Sequence, residues 1–447
     1  KMLKEIEDIA SSNQYEFINA NIDQKIVEDN KINIDIEIID DDYKSYVQKI
    51  NILGNSITIE DVIRNELIID EGDPLNQILF SKSINNIKSL GIFKDVTSDI
   101  VDGDDEFTKV ININVEEKPT GEISLGAGIG TSGASTMFGV RENNFLGQGI
   151  QLDSKLSLSE ESISGLFSYT KNNYKNTDRD LILSAEVSET DRLKDFGYKS
   201  SDRGVLIGTR FEHLDDFFIN PKASLNYESI ETSSTASSML KKQEGDYVDL
   251  NFNYLLDLDK RDQIFQPSDG YRSLFSQKIP LNIGDNQTLI NSFELQTFHE
   301  FFEDITTSIS ISTEAATSFG DDDVRISERL YIPSKKLRGF ESGKVGPIDN
   351  GDYVGGNYMS AFNINSNIPI FQSLESMRFN WFYDAANVWG VDYDSSLNES
   401  NKLRSSTGLA VNWYTPVGPL NFSFSQPITK KDTDKTESFR FSLGTTF

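Results

Sequence analysis

From residue 121 to the C-terminus, apolar and polar side chains alternate with period two in segments of about ten residues, parted by clusters of Asn, Asp, Ser and Gly. Such alternation assigns the two sets to opposite faces of a strand. Phe439, Phe441, Leu443, Thr445 and Phe447 share one face, and Arg440, Ser442, Gly444 and Thr446 the other. Val248, Leu250, Phe252 and Tyr254 alternate likewise with Asp249, Asn251 and Asn253. Candidate strands begin near residues 122, 135, 148, 162, 179, 200, 219 and 245, then near 269, 289, 306, 354, 376, 404, 418 and 437. Sixteen is an even number of short alternating segments, which predicts an all-β, 16-stranded antiparallel transmembrane β-barrel. A water-soluble sandwich alternates too. Against it, the polar face carries Arg378, Asp249 and Arg440, charges that suit a wet lumen better than a dry core, and the chain closes on an aromatic, Phe447.

Before residue 120 the pattern is different, and α+β. Residues 47–118 read as strand, helix, helix, strand, strand. Val47 to Ile52 is β-rich. Thr58 followed by Asp61 is a capping arrangement for a helix over Ile59 to Ile69. A second helix runs from about Pro74, with Leu79, Ile84, Ile87 and Leu90 apolar, and stops at Gly91. Phe93 to Val101 and Phe107 to Val115 complete the unit. The first 40 residues repeat only its second half: a helix over Leu3 to Ile9, then Phe17 to Ile22 and Asp29 to Ile36 as strands. Half a unit cannot close its own core, so the chain reads as cut from something longer. Three domains are expected: 1–46, 47–119 and 120–447.

Composition narrows the chemistry. The net charge is −29, with 12 basic and 26 acidic groups in residues 1–119 and 30 against 45 in the rest. So acidic a surface repels phosphate backbones and argues against a nucleic-acid partner. Cysteine is absent, and His213 and His299 are the two histidines. Thiolate metal sites, disulfides and most His-dependent catalysis are thereby excluded. Both histidines fall in or beside predicted strands, no Ser-His-carboxylate set is evident, and neither an enzyme activity nor a cofactor or metal site is expected.

One connection is too long for a hairpin. Between Ser318 and Val354 lie 35 mostly polar residues, 319–353, holding Leu337-Arg338-Gly339-Phe340. Long loops in compact domains are usually functional or disordered. Phe379, Trp381 and Tyr383 alternate with Arg378, Asn380, Phe382 and Asp384, and the second set should face the lumen. An inward carboxylate calls for a cation, and a loop folded into the barrel offers Arg338, whose fork suits a bidentate pair. Gly339 would let the loop backbone approach the wall, and Phe340 would wedge it there. Arg338→Ala is expected to do more harm than Arg325→Ala in the same loop.

Together these segments resemble the outer-membrane protein assembly factor (BamA) family. Ile52-Leu53-Gly54-Asn55 and Leu90-Gly91-Ile92-Phe93 are similar to its POTRA domains. Asn144-Phe145-Leu146-Gly147-Gln148-Gly149, Pro267 to Arg272, Gly418-Pro419-Leu420, the loop motif and the terminal strand complete the likeness over essentially the whole chain. Leu337 departs from the Val that usually opens the motif. The resemblance implies that 1–46 is the end of a penultimate POTRA domain and 47–119 the last one. It also implies insertion of nascent β-barrel proteins into the bacterial outer membrane without nucleotide hydrolysis, the POTRA part lying in the periplasm. Accessory outer-membrane lipoproteins, unfolded barrel clients, periplasmic chaperones and the lipid itself would be its partners.

Unpaired backbone cannot sit in lipid, so such a catalyst needs one weak seam in a closed barrel. The first strand, Glu122 to Gly130, carries Gly126, Gly128 and Gly130 at inward positions, where no side chain pins register. It must close on the last strand, with Phe439, Phe441, Leu443 and Phe447 on one face and Gly444 interrupting the other. An opened seam would template a client strand by β-augmentation, and a disulfide between positions 128 and 443 would test this. Glycine for tight curvature is the plainer alternative. A translocation-assembly subunit, a two-partner secretion pore and a passive porin are the rival functions.

Overall fold

The computed structural model describes residues 18–28, 31–40, 45–284, 288–302, 305–319, 323–369, 376–415 and 418–444. The expected helix over Leu3 to Ile9, Phe17, and the terminal Phe447 lie outside them. The chain divides into two compact units. One holds residues 1–122 with 141–152, the other 123–140 with 153–447.

In the first unit, β1 (Ile18–Glu28) and β2 (Lys31–Asp40) form an antiparallel pair. A three-stranded sheet follows, built from β3 (Tyr46–Leu53), β4 (Phe93–Asp102) and β5 (Thr108–Glu117). β5 is central, parallel to β3 and antiparallel to β4. Ile111, Ile113 and Val115 alternate onto one face of β5. There they meet Phe80, Ile84 and Ile87, spaced by one helical turn on α2 (Gln77–Ser89), in a shared core with Val47, Ile50 and Val96. Asn76 caps α2 by accepting from the backbone N–H of Ile78 (2.9 Å) and Leu79 (3.1 Å), and Gly91 leaves it at φ +68°.

The helix expected over 59–69 is shorter: α1 spans Glu60–Arg64. Bonds from Glu66 N to Ile63 O and from Leu67 N to Arg64 O tighten the chain to i→i+3 and end the helix. Nor does the Thr58 side chain cap it; the N-cap is Ile59, without a side-chain bond. Thr58 is engaged elsewhere. Its N–H donates to Glu117 at 2.6 Å, and its hydroxyl accepts from Asn144 Nδ2 at 2.9 Å. Glu117 also accepts from Ser56 N (3.0 Å), Ser56 Oγ (2.7 Å) and Ile57 N (2.9 Å). Partial burial pushes its carboxyl up, but the bonds from Ser56, Thr58 and Ile57 prevail and hold it down at about 2. Within the same unit Ile59 N donates to Gly147 O at 2.9 Å. Gly147 has φ +72°, and a Cβ there would lie 2.0 Å from Ile57 O, so only glycine passes. The Asn144 to Gly149 motif is thus a fitted turn.

Among the described residues sixteen strands close a barrel. The first half is β6 (Gly121–Gly130), β7 (Gly133–Glu142), β8 (Ile150–Ser159), β9 (Ser162–Lys171), β10 (Asp180–Arg192), β11 (Tyr198–Leu214), β12 (Phe217–Thr232) and β13 (Gly245–Asp259). Then come β14 (Gly270–Gly284), β15 (Thr288–Phe302) and β16 (Ile305–Ser318). The long loop contains a two-residue pair, β17 (Ile348–Asp349) and β18 (Asp352–Tyr353). The wall resumes with β19 (Tyr358–Ile368), β20 (Met377–Trp389), β21 (Arg404–Thr415), β22 (Gly418–Thr429) and β23 (Phe439–Leu443), which pairs back onto β6. Every strand starts within four residues of the position that alternation gives, the widest gap being 358 against 354. The outward set is apolar and exposed, as Ile123, Leu125, Val205, Ile207, Leu225, Trp381 and Phe424 show. An exposed apolar band around a closed barrel is what a lipid environment demands.

Candidate functional site

The long loop is folded into the barrel. Val324, Ile326, Leu337, Phe340 and Val345 are almost wholly buried. Leu337 and Phe340 pack with Met359, Ala361, Ala386 and Val388 on the inner faces of β19 and β20. β20 alternates as the pattern requires: Trp381 is exposed, while Phe382 and Asp384 are both 0 % accessible.

Arg338 and Asp384 are brought together. Arg338 Nε donates to Asp384 Oδ2 at 2.7 Å and Nη2 to Oδ1 at 2.6 Å, while the Arg338 backbone N–H adds a third bond at 3.0 Å. Asn363 Nδ2 supplies a fourth donor to the same carboxylate at 2.8 Å. The guanidinium carbon lies 3.6 Å from the centroid of the Phe382 ring, a cation–π contact inside the wall. Charge, fork geometry and ring face therefore converge on one side chain. Gly339 follows at φ +89°, and a Cβ there would sit 3.1 Å from Ser425 Cβ and 3.3 Å from Ser406 Cβ. The loop backbone lies against β21 and β22 at this point, and Ser406 Oγ donates to Arg338 O. Beyond it, Glu437 N donates to Gly339 O at 2.9 Å, Phe340 bridges to Thr436, and Arg440 bonds Ser334 and Glu437. The loop is thus tied to the segment that leads into β23.

Arg325 is not a neutral comparator. It is buried at 6 % accessibility, donates to Asp249, and has Nη1 at 3.2 Å from Glu228 without hydrogen-bond alignment. Its guanidinium stacks 4.3 Å from the centroid of the Tyr247 ring. Two more arginines are buried: Arg329, which bonds Asp392 and Asn357, and Arg404, held by Asp434 and Glu399, with Asn387 accepting from it at 2.9 Å. Neither Arg325 nor Arg404 stands in a motif. The available signal was an inward Asp249 on an alternating strand, which implied a cation somewhere in the loop. His299 pairs with Asp269 at 3.3 Å and His213 rests against Phe217, both exposed at strand ends.

At the seam, the described residues of β23 meet β6 in two pairs, Ser442 with Gly130 and Leu443 with Ile129, and Thr131 N donates to Phe441 O at 3.1 Å. Leu443 therefore stands opposite Ile129 rather than Gly128, one residue off the pair chosen for a crosslink. Antiparallel register sets this, since inward Ser442 must face inward Gly130. Gly126, Gly128 and Gly130 lie on the less exposed face of β6, and Ile129 on the exposed one. Gly130 also has a steric reason: a Cβ would come within 2.5 Å of Phe441 O. Gly444 turns away at φ +87°, its N–H bonded to Pro419 O at 3.0 Å, and a Cβ there would meet Ala127 O at 2.2 Å. Outside, Phe439 packs on Phe424 (5.0 Å between centroids) and Phe422 (6.5 Å), so β23 is held to β22 by rings as well as by its ladder.

A family model described as the Omp85 superfamily domain matches residues 144–447. The chain belongs to the Omp85 superfamily. A second model, the POTRA surface antigen variable number repeat, matches residues 45–118. Among members, the outer membrane protein assembly factor BamA of Neorickettsia risticii is 26 % identical over 416 residues, 90 % of this chain and 55 % of that protein. The chain spans about half the length of the curated BamA sequences it matches. The crystal structure of Haemophilus ducreyi BamA lacking POTRA domains 1–3 superposes with a TM-score of 0.82 at 22 % identity, covering 99 % of this chain and 92 % of that one. CdiB from Acinetobacter baumannii gives 0.57 at 14 % identity, over 97 % and 80 %. At these identities the superpositions speak for the fold.

Proposed function

We propose that this protein catalyses the folding and insertion of β-barrel clients into the bacterial outer membrane, where its barrel resides with the POTRA-type unit on the periplasmic side. The observation that carries the proposal is the asymmetry of the wall. β22 and β23 pair over five residues from Phe424–Phe439 to Leu420–Leu443, whereas the described β23–β6 register has two pairs. On that junction β6 presents Gly126, Gly128 and Gly130 on its less exposed face, with no side chains to pin register, which makes it the least costly place to part the sheet. Parting it exposes the backbone of β6, whose outward Ile123 and Leu125 already suit lipid. A client's terminal strand adds to that edge, gaining main-chain bonds that lipid cannot offer. The reaction makes and breaks hydrogen bonds only, so no bond chemistry, cofactor or metal is assigned to it. Relatives named assembly factors support this reading.

The Arg338 clasp has a positioning role. It fixes the loop to β20 while the same loop holds the lead-in to β23, so the β23 side of the seam is anchored through a buried ion pair. The lumen filled by this loop also weighs against a passive porin. The N-terminal unit is proposed to dock accessory lipoproteins, chaperones and unfolded clients along the edge strand β4. Reconstitution into liposomes with an unfolded barrel client is the test. A faster appearance of heat-resistant folded client than in protein-free liposomes is expected. An unchanged rate, with a steady large conductance, would point to a pore instead.

A further inference from the structure

The two strands that meet at the seam are tethered differently. β6 is joined to β7 by two residues, Thr131 and Ser132, and Gly133 follows at φ +96°. So short a hairpin turn fixes the register of the strands it joins. β22 and β23 are parted by residues 430–438, a connection too long to fix register by turn geometry.

The seam cannot make up for this. A slip of two residues leaves every side chain of β23 on its own face. Inward Ser442 would pass from Gly130 to another glycine, Gly128, with no side chain in the way. Outward Leu443 would meet lipid in either position. The height of β23 in the wall must be set elsewhere.

Arg404, at the head of β21, is 1 % exposed and uses all five of its N–H donors. Nε and Nη2 donate to the two oxygens of Asp434, each at 3.0 Å. Nη2 also bonds Glu399, and Nη1 donates to Asn387 Oδ1 and Lys402 O, both at 2.9 Å. Asp434 lies in the middle of the 430–438 connection and accepts from Lys431 N at 2.6 Å, so the connection folds about the same carboxylate. Lys431 Nζ pairs with Glu399, and two cations thus face two carboxylates. Asn387 belongs to β20, so this cluster bolts the connection to β20 and β21. The long loop adds backbone bonds to Lys435 and Glu437. Backbone bonds of that kind can re-form after a slip of two residues, because every residue offers the same groups. A guanidinium fork on one carboxylate cannot.

We propose that Arg404 is a positioning residue that acts through Asp434 to set the register of β23, and so the register in which the seam closes, in place of a tight turn. Its consequence for turnover, that β23 returns to the same partners on β6 after a client leaves, rests on the function proposed above. The register itself does not.

The test is disulfide formation in the full chain, which has no cysteine of its own, reconstituted in liposomes without client. Ile129→Cys/Leu443→Cys reports the register seen here. Ala127→Cys/Leu443→Cys and Thr131→Cys/Leu443→Cys report slips of two residues in either direction. With Arg404 in place, the 129–443 bond is expected to form at least about tenfold faster than either of the others. Arg404→Met alone strands a buried carboxylate, so the informative variant is Arg404→Met/Asp434→Asn, which leaves Glu399 balanced by Lys431. There the preference should fall to about threefold or less. Arg404→Lys, which keeps the charge and loses the fork, should lose part of it. Arg325→Ala weakens the barrel through β12 and β13 without touching residues 430–438, and should keep the preference even if all three rates change. A full preference retained in the double variant and in Arg404→Lys, each folded by heat-modifiable migration, would overturn the proposal. An equal loss of preference in Arg325→Ala would do the same. Client folding is measured separately, so its failure would count against the proposed function and leave the register result standing.

Discussion

Arg338 holds Asp384 with the Nε–Nη2 edge of its guanidinium and with its own backbone N–H, at 2.7, 2.6 and 3.0 Å, and Asp384 is inaccessible to solvent. Removing one partner of such a pair strands the other. Arg338→Ala is expected to destabilise the barrel by about 3–5 kcal/mol. Arg338→Lys, which keeps the charge and loses the fork, should fall between. Denaturant unfolding in micelles, read by heat-modifiable gel migration, measures both. Wild-type midpoints for Arg338→Ala would sink the clasp.

Arg325→Ala should be as damaging, not milder, because Asp249 and Glu228 lose their buried cation. Adding Asp249→Asn should recover part of the loss by removing one stranded charge. A double-mutant cycle reads the coupling directly, and strictly additive effects would show that the pair does not interact.

A disulfide tests seam opening. Ile129→Cys/Leu443→Cys joins residues that stand opposite each other. The neighbouring inward pair is a poor choice, since a side chain at Gly130 meets Phe441 O. Oxidised protein is expected to lose client folding in liposomes and regain it with reductant. Full activity while crosslinked would mean that β6 and β23 stay closed during turnover.

Acid should loosen the turn at residues 54–59. Glu117 has its carboxyl depressed to about 2, so the anchoring is complete above the ordinary glutamate value and is lost as pH falls toward about 2. Hydrogen exchange over this segment should lose protection through that window in the wild type. Glu117→Gln should exchange faster at neutral pH and show little further change. Identical exchange profiles would refute the role given to Glu117.

Glycine 444 offers a steric test. Gly444→Ala puts a methyl group 2.2 Å from Ala127 O and strains a backbone at φ +87°, so β23 must shift away from β6. Crosslinking between positions 129 and 443 should slow, and an undiminished rate would count against the close approach.

The barrel was legible because lipid on one side and water on the other force period two along each wall strand, as in Leu420 to Ser425. The Arg338–Asp384 pair was legible for a related reason: an inward carboxylate in that pattern must find a cation. Register was not. Alternation fixes which face Leu443 occupies but not whether it stands beside position 128 or 129. Helix α1 was overread because a Thr-Asp spacing suits a cap, yet Thr58 answers to Asn144, 86 residues away in the chain. Arg325 could not be paired for the same reason: Asp249 and Glu228 lie 76 and 97 residues away in the chain, and of the partners of Arg404 only Glu399 is near in sequence.

Strand direction adds a constraint of parity. β6 and β23 run antiparallel, so any single strand placed between them is antiparallel to one neighbour and parallel to the other. A lone guest can satisfy only one lip of the opening with the ladder the rest of the wall uses. Two guests, arriving as a hairpin, satisfy both. A sheet that grows at this opening therefore does so evenly in twos, or from one lip while the other lets go.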